Sequence, residues 1–165
     1  MQLVERHIIK KNRSSFKEID AISFLSKNLY NRANYIIRQE FINTSKEKEE
    51  GNRENANWIR YGQIQKQLQN DKDVDYRALP AKVSQQVLKL LDKNWISFFA
   101  SIRGWKKNPT DYTGRPKLPK YKHKTEGRNV LTYTIQAISK KELKKGIVLP
   151  SGTKINVKTK QNTSD

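Results

Sequence analysis

The chain has 165 residues, no cysteine, 34 Lys+Arg against 16 Asp+Glu, a formal net charge of +18 and a pI near 10.1. That length holds one domain with a real core or two small lobes. The missing thiols exclude a disulfide framework or a thiolate zinc finger, and His7 and His123 are too distant in sequence and context to suggest a histidine metal site. A hydrophobic content of 35% with a mean hydropathy of −0.92 predicts a slim core, and the excess of cations points to nucleic acid or another anionic surface.

The opening QLVERHIIK alternates Leu3, Glu5, His7 and Ile9 with Val4, Arg6 and Ile8, which predicts a strand. A capping box of Ser15 and Glu18 then starts a helix whose apolar residues Ile19, Ile22, Leu25, Leu29, Ala33, Ile36, Ile37 and Phe41 recur every three or four positions to about Asn43. Its other side carries Lys27, Asn28, Arg32, Arg38 and Gln39, which for the most part suit a solvated face. The run from Thr44 to Asn55 has no apolar residue and is expected to be a mobile loop. Tyr61, Ile64 and Leu68 mark a shorter helix ending near Asn70, followed by turn chemistry in DKDVD. Pro80 suits the first turn of a long helix with a stripe of Val83, Val87, Leu91, Trp95, Phe98 and Ile102, and Gly104 is expected to end it. Phe98 and Phe99 are assigned to the core rather than to a recognition surface.

Beyond that helix lies a cationic ribbon. From Arg103 to Arg128 there are nine cations against only Asp111 and Glu126. Pro109, Pro116 and Pro119 deny this stretch a continuous helix and favour extended backbone. Within it Lys117, Lys120 and Lys122 suit phosphate contacts, and Tyr121 can stack on a base or sugar. Val130 to Ala137 reads as a strand, Ser139 with Glu142 caps a single helical turn stopped by Gly146, and 147–149 with 153–158 form a hairpin across PSG.

No chemistry-bearing constellation stands out. Asp71, Asp73 and Asp75 alternate in a lysine-containing turn, and Glu47, Glu49, Glu50 and Glu54 fall in the polar run, where solvated carboxylates outweigh a metal site. There is no phosphate-cradling glycine loop, no nucleophile elbow and no cysteine nucleophile. Seven tyrosines are available for strand transfer, but no metal-binding histidine pair accompanies them. The chain alone is therefore read as a binder without cofactors. It has no apolar run of membrane-spanning length and no signal peptide's apolar core, so a soluble, cytoplasmic and nucleoid-associated protein is expected.

Five blocks carry a resemblance: LYNRANYIIRQEF, YGQ, LPAKVSQQVLKLLDKNWISFF, GRPKLPKYK and GRNVLTYTIQAISKKELKKGIVLPSG. In this order and spacing the chain closely resembles, along essentially its whole length, the N-terminal part of TnpB (OrfB) transposon-associated proteins, relatives of the type V CRISPR effectors. The resemblance implies an α+β fold: a small β-barrel-like wedge, incomplete at the C-terminus, with an inserted block of about three helices. The expected division is residues 1–12 for the first wedge strand, 13–105 for the helical recognition block, 106–128 for the basic arm and 129–165 for the remaining strands and tail.

Full-length members continue into a RuvC-like nuclease domain and usually a zinc ribbon. This chain stops before both, which implies a truncated or decayed copy, a separately encoded recognition half, or a fragment. The implied partners are a guide RNA scaffold and double-stranded DNA carrying a short transposon-adjacent motif, with base pairing reading the rest. Tyr61, Gln85 and Thr134 match positions that contact the motif, with Lys82 and Gln86 beside them; Ala81 stands where some relatives have lysine. The residue types suit that task, since glutamine pairs with adenine, lysine reaches guanine or phosphate, and threonine touches the thymine methyl. Two further readings are half of a split RNA-guided DNA endonuclease, with the nuclease half supplied in trans, and a DNA-binding repressor.

Overall fold

The computed structural model describes residues 4–161. Four helices build its body: α1 (Ser14–Glu49), α2 (Tyr61–Asn70), the single turn α3 (Val74–Arg77) and α4 (Ala81–Lys107). The short helix α5 (Lys140–Leu143) and the two-residue strands β1 (Ile147–Val148) and β2 (Val157–Lys158) follow the basic arm.

The stripes read from the sequence become the core. Leu29, Ala33 and Ile37 of α1, Ile64 and Leu68 of α2, and Val83, Val87, Leu91 and Trp95 of α4 are almost wholly buried in one cluster. Around Trp95 the rings of Phe41, Trp58, Phe98 and Phe99 sit 5.6, 6.2, 6.0 and 5.9 Å away, mostly edge-on or tilted, the arrangement aromatic quadrupoles favour. Polar groups tie the same helices together. Asn34, fully buried, accepts from Trp95 Nε1 at 3.1 Å, and the Tyr30 hydroxyl accepts from Asn94 Nδ2 at 3.1 Å.

Helix ends are set by tertiary partners more than by local boxes. α1 starts after Arg13 without a side-chain cap, so the Ser15–Glu18 box does not form. Glu18 instead accepts the Lys154 N–H at 3.0 Å. Its far end runs to Glu49 rather than Asn43, so much of the expected mobile loop is helix. Lysine and glutamate are good helix formers, and buried Thr44 clips the returning chain by accepting the Asn57 N–H at 2.9 Å. Asp92 of α4 caps α2 by accepting from Tyr61 N–H (3.0 Å) and Arg60 Nε (3.1 Å). The DKDVD stretch holds α3, whose N-cap Asp73 accepts from the Asp75 and Tyr76 amides. Pro80 is the N-cap of α4. Gly104 lies inside α4, not at its end: the Tyr112 hydroxyl rests against it where a Cβ would collide.

The barrel-like sheet is not formed. The described residues contain a single antiparallel pair, Ile147 with Lys158 and Val148 with Val157, plus an isolated bridge between Ile138 and Pro150. Of the first expected strand, residues 4–10 form neither helix nor ladder, while Gln2 and Leu3 lie outside the described residues. Glu5 ties this segment down, accepting from Thr159 Oγ1 at 2.6 Å and from the Lys160 N–H at 3.0 Å. Residues 130–134 are likewise unladdered and lead into a 3-10 turn, Ile135–Ala137. Their alternating β-branched residues suit a strand, but a strand needs a neighbouring edge to bond, and none of the described residues supplies one. The molecule is therefore mainly helical, with a small hairpin. The Ser139-capped turn α5 and the stop at Gly146, with φ of 72°, do form as expected.

Asn34 allows a direct check of this core. Asn34→Leu keeps the branch at Cγ, with somewhat more bulk, but strips the Trp95 indole of its acceptor and the Pro119 carbonyl of a donor, and urea unfolding should show a loss of at least about 1–3 kcal/mol, the cost of the orphaned N–H alone. No measurable loss would mean that the indole finds another partner.

Candidate nucleic-acid interface

The basic arm lies along α1, running against it. As the chain rises from Pro119 to Arg128, its partners descend the helix, and Asn129 and Val130 then turn back along it. Pro119 O accepts from Asn34 Nδ2 (2.9 Å) and Arg38 Nη1 (3.2 Å). Asn31 bonds both backbone groups of Lys122, at 2.9 and 2.8 Å. Lys124 O accepts from Lys27 Nζ at 2.6 Å, the Asn129 N–H reaches Ser23 O at 3.2 Å, and Val130 O accepts from Ser26 Oγ at 3.0 Å. Arg128 closes the row with a two-pronged pair to Asp20, both contacts at 2.8 Å. Asp20, Ser23, Lys27, Asn31, Asn34 and Arg38 are spaced three or four apart, so they form one stripe.

This corrects the reading of the polar side of α1 as solvated. Lys27 is 3% exposed and Asn34 fully buried, both beneath the arm. Burial first, and the cations of Arg128 and Lys124 after it, push the Lys27 ammonium below its ordinary pKa, with Asp75 opposing. Arg32 turns elsewhere, pairing with Asp73 at 3.0 Å.

Because the arm's carbonyls are bonded inward, its cationic side chains are left outside. Lys117, Lys120 and Lys122 are exposed, while Leu118 between them packs on the core. Tyr121 is 43% exposed, with the Arg38 guanidinium 4.8 Å from its ring centroid, and Lys122 Nζ lies 5.3 Å from the Tyr30 ring.

Between the arm, α4 and residues 55–60 opens a groove of about 1130 Å³. Its inner wall is aromatic: Phe41, Trp58, Phe98 and Phe99 are half-buried and rest on the core. Its outer rim is cationic. Lys48, Arg103, Lys106, Arg115, Lys117 and Lys120 are exposed along it, and none has an ion-pair partner among the described residues. No Asp or Glu is among the described residues lining the groove. A smaller hollow of about 340 Å³ shares Phe98, Pro116, Lys117 and Lys120 with it and adds Lys122. Thus Lys117, Lys120 and Lys122 are brought together as expected, but the aromatic wall they face includes Phe98 and Phe99, assigned from sequence to the core alone. Trp58 carried no sequence signal, since Ala56, Trp58 and Ile59 are too few to show a helical or strand period; Arg103, Lys106 and Arg115 were visible only as charge.

The remaining candidates do not line the groove or the hollow, and Thr134 is not brought into contact with the others. Tyr61 opens α2 half-buried, with Lys89 Nζ 5.4 Å from its ring. Burial, and next the neighbouring Tyr76, raise the Tyr61 pKa; Gln85 and Gln65 flank the buried Tyr76 hydroxyl. Tyr61 and Gln85 therefore converge on Tyr76. Lys82 is exposed one turn before the half-buried Gln85 and Gln86. Thr134 precedes the 3-10 turn, its Oγ1 buried with no hydrogen-bond partner among the described residues.

Among the described residues no three His, Asp or Glu side chains gather as a metal site would require. No described helix is long and apolar enough to cross a membrane. No family model matches the chain, and neither curated proteins nor solved structures give a significant match.

Lys27 makes the docking of the arm sensitive to pH. Its folded pKa is depressed, so between that value and the ordinary lysine value near 10.5 the unfolded chain binds the extra proton. Stability contributed by this group is complete above the ordinary value and lost as pH falls through the depressed one. Urea unfolding of wild type relative to Lys27→Met should improve as pH climbs through that window, whereas a flat difference would show that the ammonium is not desolvated.

Proposed function

We propose that the chain is a nucleic-acid-binding recognition unit of the TnpB kind. In this reading the arm and groove hold guide RNA by its phosphates, and the face carrying Tyr61, Lys82, Gln85 and Gln86, with Thr134, reads a short motif in double-stranded DNA. The family assignment rests on the five sequence blocks. The observation that carries the binding role is the backbone docking of the arm. Its carbonyls point into α1, which leaves Lys117, Lys120 and Lys122 outward beside the rim cations Lys48, Arg103, Lys106 and Arg115, with no lining carboxylate among the described residues.

Such a surface favours a polyanion for two reasons. Fixed cations at close spacing repel one another, and that repulsion is relieved when phosphates enter and release condensed counterions. The aromatic wall supplies apolar contact that a simple salt-binding surface lacks. Contacts of lysines to phosphate position a strand without reading its sequence, so arm and motif-reading face divide affinity from specificity.

The test is a salt titration of affinity, with guide-type RNA and duplex DNA measured separately. Log affinity should fall linearly with log salt. The triple change of Lys117, Lys120 and Lys122 to Gln should weaken all sequences alike and reduce the slope by about 2–3, at about 0.7–0.9 for each phosphate no longer neutralised. Affinity that stays flat from low to physiological salt would defeat the reading.

A further inference from the structure

Resting on the nucleic-acid reading above, we propose that the groove receives an unpaired stretch of nucleic acid whose bases enter between the arm and α4 and stack on Phe98. Three observations carry this. The first is the layering of the groove, in which half-buried rings form the inner wall and exposed cations the rim. A duplex keeps its base faces covered by neighbouring bases, so it would rest on the rim and leave the rings untouched. An unstacked base presents a face that can pass between the cations while its phosphate stays with them.

The second observation is the state of the Phe98 ring. Trp58 is already covered, with Trp95 nearly parallel to it at 18° and the Arg60 guanidinium 4.7 Å from its centroid, itself held by Asp92. Phe98 meets Trp95 at 85° and Phe99 at 57°, so neither ring lies parallel on it. It also lines both the groove, in company with Arg103, Lys106 and Lys120, and the neighbouring hollow, in company with Lys120 and Lys122. A planar base laid on Phe98 would therefore share its cavity with cations suited to the strand's phosphates.

The third observation is size. About 1130 Å³ exceeds the roughly 300–1,000 Å³ of small-ligand pockets, and a second hollow of about 340 Å³ shares Phe98, Pro116, Lys117 and Lys120 with it, which suits several linked nucleotides rather than one free one. Shape argues against an acidic peptide, whose short aliphatic carboxylates would meet the rim but leave the rings without a planar partner.

The experiment compares fluorescein-labelled decamers on the full chain by anisotropy at low salt: single-stranded RNA, single-stranded DNA, the duplex, and a base-free sugar-phosphate strand of equal charge. Single strands should bind about 5- to 150-fold more tightly than the base-free strand, the range expected for one stacked base. Phe98→Leu, which keeps apolar bulk in the core, should collapse that ratio toward one without weakening the base-free strand. In wild type, tryptophan fluorescence should change with base-bearing but not base-free strands, a readout that survives if the variant folds poorly. Either RNA or DNA as the tighter single strand supports the inference and names the natural source. Equal affinity for base-bearing and base-free strands, a duplex that binds more tightly than both single strands, or a base preference kept by Phe98→Leu overturns it while leaving the general nucleic-acid reading intact. Binding of none of the four, or tighter binding of a decaglutamate peptide, overturns both.

Discussion

A ladder of side chains on α1 that bonds the backbone of the basic arm organises the rest of the molecule. A proline-containing segment with few hydrogen bonds of its own would otherwise leave its carbonyls to solvent. Here Asn31, Asn34, Lys27, Ser26 and Arg38 take its carbonyls, and Asp20 anchors Arg128 at the end of the row. The prolines fit this arrangement because they lack an N–H and leave only carbonyls to satisfy. With these carbonyls turned inward, the arm presents a strong excess of cationic side chains to solvent, against only Asp111 and Glu126.

Burying Lys27 under this strap has an energetic cost, since an ammonium taken from water prefers to lose its proton. The geometry offsets part of it: Nζ meets the Lys124 carbonyl at 2.6 Å and lies 3.6 Å from the Phe24 ring centroid. Arg128 also stands over Phe24, at 5.0 Å, so two cations share one ring near the Asp20 carboxylate. Asp20 is held below the usual aspartate range chiefly by its hydrogen bond from Arg128, partly offset by burial. The arm is thus secured by oriented polar contacts at one end and by Leu118 in the core at the other.

The groove inherits its shape from the same core that holds the helices together. Trp95 touches Phe41, Trp58, Phe98 and Phe99, and through Asn34 it is bonded to the residue that holds Pro119. Wall, rim and arm are consequently linked by one buried indole and one buried amide. A ligand that enters meets rings already placed by packing, so little side-chain freedom is lost on binding.

The helices were legible because their apolar residues keep a period of three to four over many turns, a pattern that survives in any tertiary context where one face is covered. The polar stripe from Asp20 to Arg38 was equally regular, yet the same spacing suits solvent or a backbone partner, and only the folded arm distinguishes them. The strands failed for the opposite reason. Alternation in 4–9 and 130–137 marks segments able to pair, but pairing depends on an edge from elsewhere in the chain, and the described residues do not bring one there. Thr44 to Glu49 shows a third limit: an absence of apolar residues hid a helix whose support comes from Asn57 across a turn. Composition and periodicity by themselves determined the cationic character, the core stripes and the lack of a continuous helix in the arm, because these follow from residue type and local spacing. Which polar groups are buried, and which aromatic rings face a groove rather than the interior, was decided by tertiary contacts, since each requires a partner distant in sequence.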